Sequence, residues 1–241
     1  MKVRLPLLGV GAALLVLGAG CDRFPGKPTS ADVVIKPRDV RDFALIYSQI
    51  CAGCHGVDGK GNGALALANP IYLAIASDDT LRRVTALGVP GTLMPPFARS
   101  AGGMLNDEQI DILVNGMRSR WARPDALKGE TPPPYAADSP GDAHRGAEVF
   151  GIFCASCHGV DGRGTAKSGS IVDGSYLALV SDQHLRTTII AGQPDRAHPD
   201  WRNCVPNRRM NAQEITDAVA WLAAQRSATP GQPYPTARLN Q

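Results

Sequence analysis

The sequence predicts an all-α protein built from two domains of one fold, and two observations carry that prediction. The first is the helical spacing of its apolar residues, with no segment that sustains the period-two alternation of a β-strand. The second is an internal repeat, in which residues 47–61 match residues 150–164 at an offset of 103 and residues 72–97 match residues 176–201 at an offset of 104. A chain of 241 residues is long enough for two small domains.

Each copy of the repeat shows the same order of predicted elements. An amphipathic helix leads into a cysteine-containing segment, a glycine-rich loop follows, and a short helix begins after Ser77 or Ser181. A last helix opens at Asn106 or Asn211 with a sequence close to a capping box. The first helix is predicted over 39–50 in the first copy and 142–153 in the second, and the glycine-rich loop over 56–63 and 159–169. The apolar face of the last helix is predicted at Ile110, Leu113, Val114 and Met117 in the first copy, and at Ile215, Ala218, Val219 and Leu222 in the second.

The repeat and the segments around it predict the domain boundaries. Segment 125–141 contains three consecutive prolines, which favour a semi-rigid extended linker over a loose coil. The predicted parts are a signal peptide at 1–20, a flexible tether at 21–37, a first domain at 38–124, the linker at 125–141, a second domain at 142–227 and a proline-containing tail at 228–241.

The N-terminus has the layout of an export signal. A short basic stretch with Lys2 and Arg4 precedes an apolar segment of 16 residues, which is shorter than the roughly 20 that a bilayer-spanning helix needs. The segment ends in small residues before Cys21 and resembles a bacterial lipobox, although its leucine lies four residues before the cysteine instead of three. That resemblance implies lipidation of Cys21, and Asp22 resembles the signal that keeps such lipoproteins on the inner membrane. An ordinary signal peptide with an incidental cysteine, or an uncleaved anchor, is the alternative.

Each copy of the repeat also contains one Cys-x-x-Cys-His motif. This motif is the attachment signature of c-type haem, in which two thiols bond to the vinyl groups of one porphyrin and the histidine lies beneath the iron. A lone Cys-x-x-Cys could instead be a redox pair or half a zinc site, but two repeated copies that each end in histidine favour haem. The sequence therefore predicts two covalently bound haem c groups, attached at Cys51, Cys54 and His55 and at Cys154, Cys157 and His158.

A methionine in the first copy predicts the sixth iron ligand of the first haem. The stretch Gly88–Phe97 resembles the methionine-bearing loop of class I cytochromes c, and the resemblance to that family spans both repeats almost end to end. It implies tandem class I cytochrome c domains, with His55 and Met94 as the axial ligands of the first iron. Met104, at the start of the last helix, is the alternative ligand, whereas Met117 belongs to the apolar face of that helix.

The second copy departs from the class I pattern. His198 follows Gly192 by six residues, the step that separates Met94 from its own glycine in the first copy. The alignment therefore predicts bis-histidine ligation of the second iron by His158 and His198. The alternative sixth ligands are Met210, Cys204 as a thiolate, and His184, which is otherwise expected to be solvated. The last alternative is a second iron with an open sixth position.

Electron transfer, not catalysis, is the function that these features predict. A methionine ligand raises the reduction potential of a haem, so electrons are expected to enter at the second haem and leave from the first.

The net charge of +3 comes without clustered basic residues, which excludes a nucleic-acid binder. The expected partners are redox proteins or a membrane respiratory or photosynthetic complex, met on the periplasmic face of the inner membrane. The alternative is a dihaem enzyme, a peroxidase or a thiosulfate-oxidising cytochrome, which would need an iron with an open position.

Overall fold

A computed structural model describes residues 34–61 and 63–228, together with residues 26, 29 and 32. Across these residues the chain is helical and forms no β-strand, only isolated bridges, which confirms the all-α prediction. The predicted signal peptide, the lipidation at Cys21 and nearly all of the tail lie outside the described residues. Among the described residues, those up to Asp39, with a 3-10 turn at Pro37–Asp39, belong to one unit, and those from Val40 to residue 228 belong to another that carries both repeats.

Each repeat contributes five helices to the described part of the chain, in the same order. In the first repeat they are α1 (Phe43–Ile50), α2 (Ala52–His55), α3 (Pro70–Ile75), α4 (Asp78–Leu87) and α5 (Asp107–Trp121). In the second repeat they are α6 (Ala143–Phe153), α7 (Ala155–His158), α8 (Gly174–Leu179), α9 (Asp182–Ala191) and α10 (Ala212–Ala224). Within the described residues, none of these helices has the length and apolarity needed to cross a bilayer.

Polar caps begin the helices where the sequence predicts them. The hydroxyls of Ser77 and Ser181 accept amide hydrogen bonds at the starts of α4 and α9. Asn106 and Asn211 form complete capping boxes at the starts of α5 and α10, because the backbone amide of each also donates to the side chain of the third helical residue, Gln109 or Glu214. These contacts satisfy amide groups that have no partner inside the helix.

Two features of the helices differ from the prediction. α1 begins at Phe43 instead of residue 39, because the Asp42 side chain accepts a hydrogen bond from the Leu45 amide and caps the helix there. The six-residue helices α3 and α8 were not predicted, since so short a segment has too little periodicity to show a helical pattern. Asn69 and Asp173 cap these two helices from equivalent positions of the repeat.

The first and last helices of each repeat cross at a glycine, but the glycine lies on opposite helices in the two repeats. In the first repeat Gly116 of α5 faces Phe43 of α1, and a Cβ at Gly116 would overlap the ring. In the second repeat Gly146 of α6 faces the backbone of Asp217 on α10, and a Cβ there would overlap the Asp217 carbonyl. The repeat pairs Phe43 with Gly146 and Gly116 with Trp221, so the large and the small residue have exchanged helices.

One buried hydrophobic cluster joins the two repeats. Its members include Tyr72 and Val114 from the first repeat and Phe153, Ile190 and Trp201 from the second. Two smaller clusters each stay within one repeat. The two repeats therefore share part of one core instead of packing as separate bodies.

The proline-containing linker packs against this shared cluster. Tyr135 lies against the cluster, and the buried guanidinium of Arg186 on α9 donates hydrogen bonds to the carbonyls of Pro134 and Tyr135. Arg202 also donates to the Leu127 carbonyl. The linker is thus an ordered segment held by arginines of the second repeat.

Candidate haem sites

The two Cys-x-x-Cys-His motifs form single helical turns, α2 and α7. In each turn the histidine amide donates to the carbonyl of the first cysteine, at 2.9 Å in the first repeat and 3.0 Å in the second. This turn places both thiols and the imidazole of a motif on one short helix. All four cysteines are free thiols, and burial raises the pKa of Cys51 and of Cys154 to about 12. A raised thiol pKa disfavours the thiolate that a redox pair needs.

His55 is oriented by the glycine-rich loop of the first repeat. Its Nδ1 lies 2.8 Å from the carbonyl oxygen of Leu65. Because a carbonyl can only accept, Nδ1 carries the proton and Nε2 keeps its lone pair for a metal. Burial lowers the pKa of His55 despite this bond, and the neutral imidazole is the form that binds a metal.

His158 is oriented by a hydroxyl, and a backbone hydrogen bond with Gly169 opposes the effect of burial on its pKa. Ser168 Oγ lies 2.8 Å from His158 Nδ1 and also 3.0 Å from the carbonyl oxygen of Cys157. The hydroxyl has one proton, which it donates to the Cys157 carbonyl, so it accepts the proton of His158 Nδ1. His158 Nε2 is therefore left with its lone pair, and burial lowers the pKa of this histidine as well.

His198 faces His158 at the separation that a shared metal requires. The two ring centroids are 6.0 Å apart and the ring planes are inclined at 50°. Bonds between a metal and an imidazole nitrogen are about 2 Å long, so two rings that share one metal have centroids roughly 6 Å apart. Nδ1 of His198 is buried without a hydrogen-bond partner among the described residues, and burial, followed by nearby His158, lowers the pKa of His198. These residues fit a bis-histidine haem.

The other candidate ligands of the second haem are placed differently. Met210 is buried in the shared hydrophobic cluster, and its amide donates to the Trp201 carbonyl. Cys204 packs against the same cluster, and burial, with Asp200 nearby, raises its pKa to about 11, which disfavours a thiolate ligand. His184 is only partly exposed instead of solvated, and burial lowers its pKa. His198 differs from these alternatives because its ring lies 6.0 Å, centroid to centroid, from the ring of His158.

Met94 lies in the predicted loop of the first repeat. Its carbonyl accepts from the Val89 amide, and a Cβ at Gly88 would come within 2.5 Å of that carbonyl, so the loop folds tightly back on its glycine. Gly88 has a φ of +68°, a conformation that favours glycine. Met104, the alternative, is 62% exposed. The ligation of the first iron by His55 and Met94 stays a prediction.

Tandem helical domains with one haem-attachment motif each define a c-type cytochrome. The profile of the family described as "Cytochrome C oxidase, cbb3-type, subunit III" matches residues 38–115 and 141–222. The chain belongs to this family. Cytochrome c families carry covalently bound haem c, which is the cofactor that the two motifs predict.

Two curated relatives are similar over much of the chain. The cbb3-type cytochrome c oxidase subunit FixP of Sinorhizobium medicae is 27% identical over 157 residues, which cover 58% of this chain and 48% of that protein. The cytochrome bc1 complex cytochrome c subunit of Corynebacterium diphtheriae is 28% identical over 203 residues, which cover 78% of this chain and 66% of that protein. The chain spans only about half the length of FixP.

Solved structures are similar at a lower level. A chain of the Kuenenia stuttgartiensis reducing HAO-like protein complex aligns with a TM-score of 0.42 and 18% sequence identity. The alignment covers 81% of this chain and 100% of that one.

Proposed function

We propose that the protein is a dihaem electron carrier that passes electrons between respiratory redox partners on the periplasmic side of the inner membrane. The observation that carries the proposal is the pair of facing imidazoles, His158 and His198, with ring centroids 6.0 Å apart. Two axial protein ligands leave an iron no open position for a substrate. A site of this kind exchanges electrons without binding a reactant at the metal.

The residues that would hold each haem follow from the two motifs and their loops. Haem c, when bound, supplies the iron that is reduced and reoxidised. The thiols of each motif would fix the porphyrin, and the bonds of Leu65 and Ser168 to the proximal histidines would fix their ring orientation and tautomer. Cys51 and Cys54 would attach the first haem, whose iron ligands would be His55 and Met94. Cys154 and Cys157 would attach the second haem, whose iron ligands would be His158 and His198.

The two ligand sets give the pair a direction. A methionine and histidine pair raises the potential of a haem, so the first haem would be the better oxidant and the bis-histidine haem the better reductant. Electrons would therefore enter at the second repeat and leave from the first. The shared hydrophobic cluster supports this path because it fixes one repeat against the other.

Partners and attachment follow from the relatives and from the N-terminal sequence. The relatives are named as subunits of a cbb3-type oxidase and of a bc1 complex, which supports a membrane respiratory complex as the partner. Lipidation at Cys21 would hold the protein at the membrane through the tether at 21–37. Replacing Cys21 with serine should then release the protein into the soluble periplasmic fraction, whereas retention at the membrane would contradict the anchor.

A redox titration of the holoprotein tests the carrier and its direction. We expect two distinct midpoint potentials in the wild type. His198→Met should raise the lower midpoint by on the order of 0.1 V, because axial ligands tune haem potentials over a range of about 0.8 V, and should leave the higher midpoint unchanged. Rapid binding of carbon monoxide to one ferrous haem of the wild type would instead favour a dihaem enzyme, and a single shared midpoint would contradict the direction.

A further inference from the structure

We propose that Asn69, a residue of the first repeat, is a positioning residue for the iron ligand His198 in the second repeat. It would set the orientation of the His198 ring by holding the base of the loop that carries it. The inference rests on the proposed ligation of the second haem by His198. It adds a dependence of the second haem on a side chain of the other domain.

Asn69 is buried and uses both ends of its amide. Asn69 is 6% exposed. Its Oδ1 accepts hydrogen bonds from the amides of Ile71 and Tyr72 at 2.9 and 3.1 Å, and these bonds cap α3. Nδ2 donates to the carbonyls of Ala191 and Gly192 in the second repeat at 3.0 and 3.1 Å. One side chain therefore caps the start of a helix in one repeat and the end of a helix in the other.

The two carbonyls that Asn69 holds lie at the base of the His198 loop. Ala191 is the last residue of α9 and Gly192 is its C-cap, so their carbonyls have no partner within the helix. The next residue, Gln193, begins the loop and forms a pair of backbone hydrogen bonds with His198, at 2.9 and 3.1 Å. Because these two hydrogen bonds tie His198 to Gln193, a shift of the Ala191 and Gly192 carbonyls should also shift His198.

The loop has no room to absorb a shift of that base. Gly192 has a φ of +66°, and a Cβ there would lie 2.8 Å from the carbonyl oxygen of His198 and from the Asp200 amide nitrogen. Ala197 beside the histidine has a φ of +56°, in the left-handed region. Movement of the Gly192 carbonyl would therefore pass to the ring of His198 instead of being lost in the loop.

The same asparagine is tied to the orientation of His55. Asn69 is the last residue of the segment between α2 and α3, in which the Ala68 amide donates to the Gly59 carbonyl at 2.9 Å and Leu65 orients His55. The loop that fixes the proximal histidine of the first site thus ends at the residue that holds the distal loop of the second. An ion pair between Lys60 and Asp195 crosses the same boundary, but both groups are more than half exposed and contribute little.

The equivalent residue of the second repeat, Asp173, shows that capping the helix does not require a side-chain amide. Asp173 caps α8 through the amides of Ser175 and Tyr176, at 2.9 and 3.0 Å, and is exposed. A carboxylate is sufficient for the cap but has no proton to donate to a carbonyl. A side chain with an N–H donor occurs only at the one of these two positions that contacts the base of the His198 loop, which is Asn69. Positioning of that loop requires such a donor, whereas capping of the helix does not.

The test compares the same substitution at the two caps in the haem-loaded protein. Asn69→Ser keeps a capping hydroxyl but cannot reach the carbonyls of Ala191 and Gly192, and Asp173→Ser makes the matched change in the second repeat. We expect Asn69→Ser to broaden or shift the electron paramagnetic resonance signal of the ferric second haem, because its g-values report the angle between the two imidazole planes. The midpoint potential of the second haem should rise. The signal of the first haem should stay unchanged, because the serine keeps the cap at the end of the segment that orients His55. Asp173→Ser should leave the second-haem signal as in the wild type.

Each outcome has a distinct meaning. A second-haem signal and midpoint in Asn69→Ser equal to those of the wild type would overturn the inference and leave the electron-carrier proposal intact. A wild-type second haem without a bis-histidine signal would instead contradict the ligation on which both proposals rest. If Asn69→Ser fails to incorporate haem, Asn69→Asp takes its place in the resonance comparison, because it keeps the shape and the cap and loses only the donor.

Discussion

The two proximal histidines make hydrogen bonds of different kinds. His55 donates to a backbone carbonyl, whereas His158 donates to the hydroxyl of Ser168, which itself donates to the Cys157 carbonyl. Partners of this kind raise the basicity of a ligating imidazole and so stabilise the oxidised metal. Ser168 is therefore expected to keep the potential of the second haem low, in addition to the effect of His198.

Removal of the Ser168 hydroxyl should raise the midpoint potential of the second haem. In Ser168→Ala the proton of His158 Nδ1 loses its hydroxyl acceptor, so the imidazole becomes a weaker donor to the ferric iron. Potentiometric titration measures the change. Thr165→Val is the matched control, because the Thr165 hydroxyl donates to the same Cys157 carbonyl at 2.6 Å but does not bond to His158. Equal shifts in the two variants would show that the carbonyl, not the histidine, carries the effect.

At the scale of helices, each repeat fixes its first and last helix by pairing a glycine with a bulky partner. Gly116 receives the ring of Phe43 in the first repeat, and Gly146 receives the backbone of α10 beside Trp221 in the second. Two helices can approach this closely only where one of them has no Cβ. The exchange of the two roles between repeats keeps the crossing while altering which helix supplies the small residue.

Gly146→Ala should destabilise the protein by about 1–3 kcal/mol or more, the usual cost of overpacking, because the obstructing atoms belong to the backbone of α10. Gly151→Ala in the same helix should stabilise it by about 0.5–1 kcal/mol, since a Cβ there has no atom within 4 Å and alanine is the better helix former. Urea denaturation of the two holoprotein variants measures both values. A loss of stability in Gly151→Ala equal to that in Gly146→Ala would contradict the close crossing.

The same helix pair contains a buried carboxylate that should make stability depend on pH. Asp217 of α10 is 3% exposed and accepts from the Asp142 amide at 2.7 Å, from Arg145 at 2.9 Å and from Gln213 at 2.8 Å. Burial raises the pKa of Asp217, but these bonds outweigh it and the pKa lies below its usual value. A depressed carboxylate pKa stabilises the fold above the unfolded-state pKa, and that stability is lost as the pH falls through the folded-state value.

Asp217→Asn should therefore cost roughly 1–3 kcal/mol at pH 7, because buried donors lose their charged partner. The difference between variant and wild type should shrink as the pH falls below about 4, the ordinary pKa of an aspartate side chain in an unfolded chain. Unfolding free energies measured from pH 7 to pH 3 give this difference directly, and titrations of other groups cancel between the two proteins. A difference that stays constant across that range would contradict the depressed pKa.

At the scale of the whole molecule, the shared cluster makes the two domains one cooperative body. Ile190 of α9 is fully buried within it, together with Val114 and Met117 of the first repeat. Leu177 is equally buried but belongs to a cluster made only of second-repeat residues. The linker adds to the coupling through its bonds to Arg186.

Ile190→Ala should lower the hydrogen-exchange protection of α5 in the first repeat, although the change lies in the second. Both Ile190→Ala and Leu177→Ala remove buried methyl groups and should each cost about 2–5 kcal/mol in unfolding free energy. Only the first opens a cavity in the cluster that includes Val114 and Met117. Equal loss of α5 protection in the two variants would indicate that the shared cluster does not set the coupling.

The sequence by itself determined the helical class, the tandem repeat, the caps of the longer helices and the two haem-attachment motifs. These features depend on residues close together in the chain, such as the three-residue step of a capping box or the two-residue step between motif cysteines. The alignment of the repeats also selected His198, because a repeated fold places equivalent residues at equivalent positions. The ligation by Met94 and by His198 and the lipidation at Cys21 stay predictions.

Only the tertiary structure decided how these parts meet. It placed the ring of His198 6.0 Å from that of His158, exchanged the glycine between the crossing helices, packed the linker against the second repeat and extended Asn69 across the domain boundary. Each of these contacts joins residues far apart in the chain, and local propensity contains no information about such partners. The physical reason is that burial and hydrogen bonding are settled by what surrounds a side chain once the domains have packed.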